Sequence, residues 1–141
     1  GLDLLPLRTV FGEVKALRQR QSVALWPIAT AGPKSEQSTR LSIEGFELHR
    51  GRSTNLEPCD ALCADAQLGW VSGNVAGTYL HAVFDNGPWR RRWLNQLRAC
   101  KGLPSLSEGQ PHHSRQREAL LDRLADAFEQ HVNLEPLLTK P

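Results

Sequence analysis

Apolar positions run through residues 4 to 11, broken by Pro6 and closing on Thr-Val-Phe-Gly, which predicts a short strand. The next segment, "VKALRQRQSVALW" over 14 to 26, alternates loosely between apolar and polar residues. A strand and a helix compete there on periodicity. Residues 27 to 39 are rich in Pro, Gly, Ser and Thr and predict an exposed loop. "RLSIEGFELHRG", 40 to 51, reads as a strand. It places Leu41, Ile43, Gly45, Glu47 and His49 on one face and Ser42, Glu44, Phe46 and Leu48 on the other. Residues 52 to 66 carry an Asn and a Pro and predict irregular chain. "LGWVSGNVAGTYLHAVF" then gives two short strands around a Ser-Gly-Asn turn, the signature of a hairpin.

The pattern changes period after residue 84. Asp85, Asn86 and Gly87 supply capping residues, and Pro88 suits a first helical position. Trp89, Trp93, Leu94, Leu97 and Cys100 recur at helical spacing, and Gly102 with Pro104 stops the run. A linker follows over about 103–114. A second helix over about 115–133 carries Leu121, Leu124, Ala125, Phe128 and Val132 as a stripe, with charge opposite. Strands followed by two C-terminal helices predict an α/β class. The chain has no Met and opens on "GLDLLPLRTVF", already apolar and strand-like, so it reads as the distal part of a domain filling residues 1–141.

Composition narrows the function classes. At 141 residues, 40% hydrophobic and 23% charged, the chain matches an ordinary globular domain. A net charge of +2 gives no case for a nucleic-acid partner or an acidic membrane surface. No apolar run approaches the ~20 residues a membrane helix needs, and no basic-then-apolar leader opens the chain. Cys59, Cys63 and Cys100 are an odd number, which fits a reducing compartment better than a disulfide framework. A cytoplasmic location is the expectation.

Four groups of residues are candidates for chemistry. His81 closes a predicted strand just before a helix-capping turn, the end of an α/β strand where ligands bind. It is either a general base near neutral pH or a structural histidine bonded to backbone. Glu47 and His49 share a strand face, where they line a pocket or form the polar side of a half-exposed strand. Cys59 and Cys63, spaced C-x-x-x-C, with His112 and His113 downstream, have the donor types of a zinc site but not its usual knuckle spacing. "WRRRW", 89 to 93, interleaves aromatics with arginines; on a helix it predicts buried tryptophans and a solvated basic face. No phosphate loop and no G-x-S-x-G or G-x-C-x-G elbow occurs.

Taken together, "GLDLLPLRTVF", "IEGFELHRGRS" and "GTYLHAVFDN" resemble the C-terminal glutamine amidotransferase domain of the cobyric acid synthase family. The family pattern runs approximately G-L-G-L-L-P-x-x-T, G-Y-E-I-H-x-G-R-T and G-T-Y-L-H-G-x-F-D-N, and the similarity covers essentially the whole chain. It implies the distal part of a flavodoxin-like class I glutamine amidotransferase domain. It implies that His81 is the glutaminase histidine, that a cysteine on a Gly-rich elbow upstream of Gly1 is the nucleophile, and that Cys59, Cys63 and Cys100 are not. In many such sites a glutamate two residues after the histidine orients it; here that position is Val83, so the site resembles a Cys-His pair. Glu47 is a candidate for the orienting role, and Glu47 and His49 are candidates for substrate binding. Ala82 replaces the usual glycine beside the histidine. The implied substrates are glutamine and, through an N-terminal synthetase domain using ATP and Mg, adenosylcobyrinic acid a,c-diamide. No cofactor is implied for this segment. A non-catalytic docking remnant, using the "WRRRW" helix, is the rival expectation.

Overall fold

The computed structural model describes residues 2–27 and 40–133. The expected exposed loop at 27–39 lies, beyond Pro27, outside the described residues. The two strands predicted over 4–11 and 14–26 are one long strand, β1 (Leu7–Ala24). It pairs antiparallel with β2 (Leu41–Asn55), from Leu7 opposite Asn55 to Ala24 opposite Leu41. A bulge explains why the pattern reads as two pieces. The register shifts between Phe11 and Ala16, so residues 12–15 face Arg50 alone and the apolar alternation changes phase there. Pairing along β2 also decides the strand-or-helix ambiguity over 14–26. β2 itself runs four residues past the predicted end at Gly51, so residues 52–55 are ladder rather than irregular chain.

A second sheet is built from β3 (Asp60–Ala61), β4 (Gly69–Ser72) and β5 (Val75–Thr78), all antiparallel. β4 and β5 are the predicted hairpin, turning at Gly73-Asn74 with Ser72 opposite Val75. β6 (Leu80–His81) returns to the first sheet and pairs with β2, giving the order β1-β2-β6. Leu62 joins the sheets: its carbonyl accepts from Leu25 and Trp26, and its N–H donates to Gly69. Ile43, Leu62, Cys63 and Leu68 are fully buried between them, with Val71, Leu80, Val83 and Trp89 around. Truncating a leucine or isoleucine in such a cluster costs about 2–5 kcal/mol.

A 3₁₀ turn (Val83–Asp85) leads into α1 (Gly87–Cys100), with Pro88 in its first turn as expected. The buried face of α1 differs from the predicted stripe. Trp89, Arg92 and Asn95 are buried, whereas Leu94 and Leu97 are exposed. The reason is the segment after α1, which folds back along the helix as a strap. Arg92 forms a forked pair with Glu108 at 2.7–3.1 Å. Asn95 exchanges two hydrogen bonds with the backbone of Leu106, and Arg98 donates to the Pro104 carbonyl. Gly87 permits the closest approach, since a Cβ there would lie 2.3 Å from the Gln110 and Pro111 carbonyl oxygens. The "WRRRW" arginines are therefore not a uniformly solvated face: Arg92 is buried in an ion pair and Arg90 donates to the Phe84 carbonyl, while Arg91 is half-exposed with no such partner among the described residues. α2 (His113–His131) starts two residues earlier than predicted and has no buried residue; Leu121, Leu124 and Phe128 of its stripe, and Leu120 beside it, are all more than half exposed.

Candidate functional site

β6 brings His81 beside β2 by an unusually close contact. Gly45 has room for no side chain: a Cβ there would sit 2.1 Å from the His81 carbonyl oxygen. Phe46 lies opposite His81 in the ladder, and the two rings stack at 5.0 Å and 12°. The imidazole is exposed, and its ring contact with Phe46 is its one side-chain interaction among the described residues. The turn after it is held by Asn86, which is 3% exposed. The Asn86 Oδ1 accepts from Glu44 N–H at 2.9 Å, and its Nδ2 donates to the carbonyls of Glu44 at 2.8 Å and Val83 at 3.0 Å. His81 is thus free at its nitrogens while its backbone is clamped on both sides.

Ala82 adopts φ 62° and ψ 16°, the left-handed region. That gives the physical reason for glycine at this place in the family pattern: a Cβ is disfavoured there. Val83, at the position of the usual orienting glutamate, is 5% exposed and belongs to the core. A carboxylate there would be buried without a partner in view.

Glu47 and His49 face the other way. Glu47 lies opposite Leu80 rather than His81, so its side chain leaves the far face of β2. Its carboxylate is bonded to Arg18 and lies 3.4 Å from the Arg20 Nε. The His49 Nε2 is 3.2 Å from the same carboxylate, and its Nδ1 is 2.7 Å from the Gly51 carbonyl. Burial pushes the Glu47 carboxyl up, but the Arg18 and His49 hydrogen bonds and the charges of Arg18 and Arg20 outweigh it, and the net direction is down. Glu47 is therefore an ionised anchor for β1 and makes no bond to His81. Together Glu47 and His49 line a cavity of about 660 Å³ with Arg18, Arg20, Asp65 and Tyr79. The sequence reading missed those four. The signal for two of them was the i, i+2 spacing of Arg18 and Arg20, which puts both on one face once the segment is a strand.

The cysteines take other roles. Cys63 is fully buried, bridges to Ala24 across the sheets, and its thiol lies 3.3 Å from the Asp65 carbonyl. Burial raises its pKa against the smaller opposing effects of Ser22 and Arg20, which keeps it a thiol near neutral pH. Cys59 is half-buried and Cys100 exposed. His112 caps α2, its Nδ1 accepting from the Ser114 N–H at 3.3 Å, and its Nε2 lies 3.4 Å from Glu44. His113 is the first residue of α2 and is exposed. Among the described residues no group of three or more His, Cys, Asp or Glu side chains is placed to hold a metal ion. No helix among them is long and apolar enough to cross a membrane.

The cobyric acid synthase of Synechococcus sp. (strain WH7803) is 66% identical over 144 residues, 98% of this chain and 28% of that protein. That of Synechococcus sp. (strain RCC307) is 61% identical over 141 residues, 100% of this chain and 27% of that protein. That of Nostoc punctiforme is 44% identical over 147 residues, 99% of this chain and 28% of that protein. The chain thus spans about 28% of the length of the curated relatives it matches. No solved structure matches it. The model of the CobB/CobQ-like glutamine amidotransferase domain matches residues 1–89, which includes β1 through the Asn86 clamp, and the chain belongs to that family.

Proposed function

We propose that this chain supplies the base of a glutaminase site in a cobyric acid synthase of cobalamin biosynthesis, and that His81 is that base. The observation that carries the reading is the clamped backbone and unencumbered imidazole of His81 within the matched segment. The thiol comes from a cysteine upstream of Gly1, as the family resemblance implies, since Cys63 is buried and held protonated. His81 takes the thiol proton, and the thiolate attacks the side-chain amide carbon of glutamine. The tetrahedral adduct collapses with the proton passing to the leaving nitrogen, releasing ammonia and leaving a glutamyl thioester. His81 then takes a proton from water, and hydroxide attack frees glutamate and returns the thiol.

The remaining parts of this reading belong to the rest of the polypeptide. An ATP- and Mg-dependent synthetase domain activates peripheral carboxylates of adenosylcobyrinic acid a,c-diamide, and the ammonia converts them to amides, in the cytoplasm. Phe46 restricts the ring of His81 by stacking, in place of an orienting carboxylate at position 83. Glu47 and His49, on the opposite face of β2, bind a substrate group rather than tuning the base.

The test is made in the full-length enzyme carrying this segment. His81→Ala is expected to lower glutamine-dependent amide formation by ~10²–10⁴-fold, the usual worth of a general base. Amide formation driven by ammonium salt is expected to persist, because free ammonia bypasses the glutaminase. Retention of the glutamine-dependent rate, or equal loss of both rates in a folded variant, overturns the assignment.

A further inference from the structure

The cavity over the β1–β2 hairpin has the chemistry of an anion site. Lys15, Arg18, Arg20, Arg50 and Arg52 line it, against the carboxylates of Glu47 and Asp65. Five cations against two carboxylates border it, an excess of three positive charges in a chain whose total is +2, with Arg18 and Arg20 on the face of Glu47 and His49 and with Arg50 and Arg52 at the rim on alternate positions of β2. The two carboxylates are consumed internally: Glu47 holds Arg18 and Arg20, and Asp65 holds Arg20.

Arg18 is the key residue. It binds Glu47 through its Nε, which leaves both terminal nitrogens of its guanidinium without a partner among the described residues. Its side chain is 60% exposed, whereas the Glu47 side chain that holds it is 5% exposed. A buried anchor therefore fixes the base of an arginine whose outer edge is open. That edge offers two parallel N–H groups to a planar oxyanion. Lys15, Arg50 and Arg52 make no ion pair within the described residues.

The rest of the wall fits an organic body rather than a bare ion. His49 and Tyr79 stack at 3.8 Å and 9°, a double aromatic plate. The Tyr79 hydroxyl is fixed by Ser53 at 2.7 Å, and Ser53 in turn by Thr9 at 2.7 Å. At about 660 Å³ the cavity lies within the ~300–1,000 Å³ range of small-molecule sites. The cavity residues lie on β1 and β2, in the 65–67 turn and at Tyr79, with no helix N-terminus among them. Guanidinium forks take carboxylates and phosphates alike; the absence of a helix N-terminal cradle among these residues and the adjoining aromatic plate favour an anion on a carbon skeleton over inorganic phosphate.

We infer that this cavity binds a small organic molecule carrying two or more carboxylates, with Arg18 as its principal contact. The inference extends the reading of Glu47 and His49 as ligand-binding residues, and it does not depend on His81 acting as a base.

The test is direct binding to the 141-residue chain, followed by calorimetry and by the amide shifts of residues 15–20 and 47–53. The probes are citrate and glutarate, with inorganic phosphate and chloride as the other anions. Citrate is expected to saturate, and to do so more tightly than phosphate at equal ionic strength. Arg18→Gln is expected to weaken citrate by roughly tenfold or more, the worth of charged hydrogen bonds. Arg98→Gln, on the far helix, is expected to leave it unchanged. Should Arg18→Gln fail to fold, Arg52→Gln, at an exposed position, is the second variant and is expected to weaken citrate severalfold. Phosphate binding in preference to both carboxylates overturns the assignment. So does the absence of saturation with every probe, or citrate binding that Arg18→Gln leaves intact; the cluster is then only the ionic seam of a hairpin. Because binding is read without turnover, failure here leaves the His81 test untouched, and failure of His81 leaves this one.

Discussion

Ala82 holds a backbone conformation that its side chain opposes. With φ at 62° its Cβ crowds the following carbonyl, a cost of about 1–2 kcal/mol for an L-residue other than glycine. The turn is nevertheless fixed, because Asn86 bonds both Glu44 and the Val83 carbonyl. Ala82→Gly is expected to raise stability by about 0.5–1 kcal/mol, the relief of strain less the extra freedom glycine gains in the unfolded chain. Urea unfolding of parent and variant measures it, and a lower midpoint for the variant would mean the turn is not strained at Ala82. Gly45 is the opposite case. Its missing side chain is what lets the His81 carbonyl approach β2, so glycine at 45 and glycine at 82 answer different needs, one of space and one of torsion.

At the scale of elements, α1 shows how far a periodic pattern can be trusted. Trp89 was legible as core and is 2% exposed. The arginines were not legible, because the partner of Arg92 lies sixteen residues away on a strap with no periodicity of its own. Arg92→Ala is expected to cost about 2–4 kcal/mol, somewhat below the full penalty of orphaning a buried pair, because Glu108 is part-exposed. Gln at Arg91, which lacks such a partner, is expected to change stability by no more than about 0.5 kcal/mol. Equal, small effects at both positions would restore the solvated-face reading. The same logic divides the site. The shared face of Glu47 and His49 was readable because strand alternation assigns faces within one segment. Arg18, Asp65 and Tyr79 come from three separate segments, and only the β1–β2 register and the turn at 65–67 bring them to one cavity. The bulge at 12–15 hid the length of β1 for a related reason: it shifts the phase of the alternation by which a strand is recognised.

For the molecule as a whole, two buried groups set opposite ends of the pH range. Glu47 connects β1 to β2 and faces Arg18 and Arg20 from β1, His49 from its own strand and Leu80 from β6. Its folded pKa lies below the ordinary 4.5. A depressed carboxyl binds its proton more weakly in the folded state than in the unfolded one. Its contribution is therefore complete above the unfolded value and is lost as pH falls through the folded one. Cys63 connects the two sheets and is shifted the other way, above the ordinary 9.0. A raised thiol favours the protonated form when folded, so its contribution is complete below the unfolded value and is lost as pH rises through the folded one. Stability is thus expected to be level in the middle of the range, to fall below about pH 4.5 and to fall again above about pH 9. Each limb has its own control. Glu47→Gln is expected to be less stable at neutral pH, because Arg18 and Arg20 lose their anion, and to lose less than the parent does on acidification. Cys63→Ala is expected to remove the alkaline decline while leaving the acid limb in place. Urea midpoints across the range, for parent and both variants, separate the two. An acid limb of the same depth in Glu47→Gln would assign acid sensitivity to other carboxylates, with Asp65 against Arg20 the first to examine.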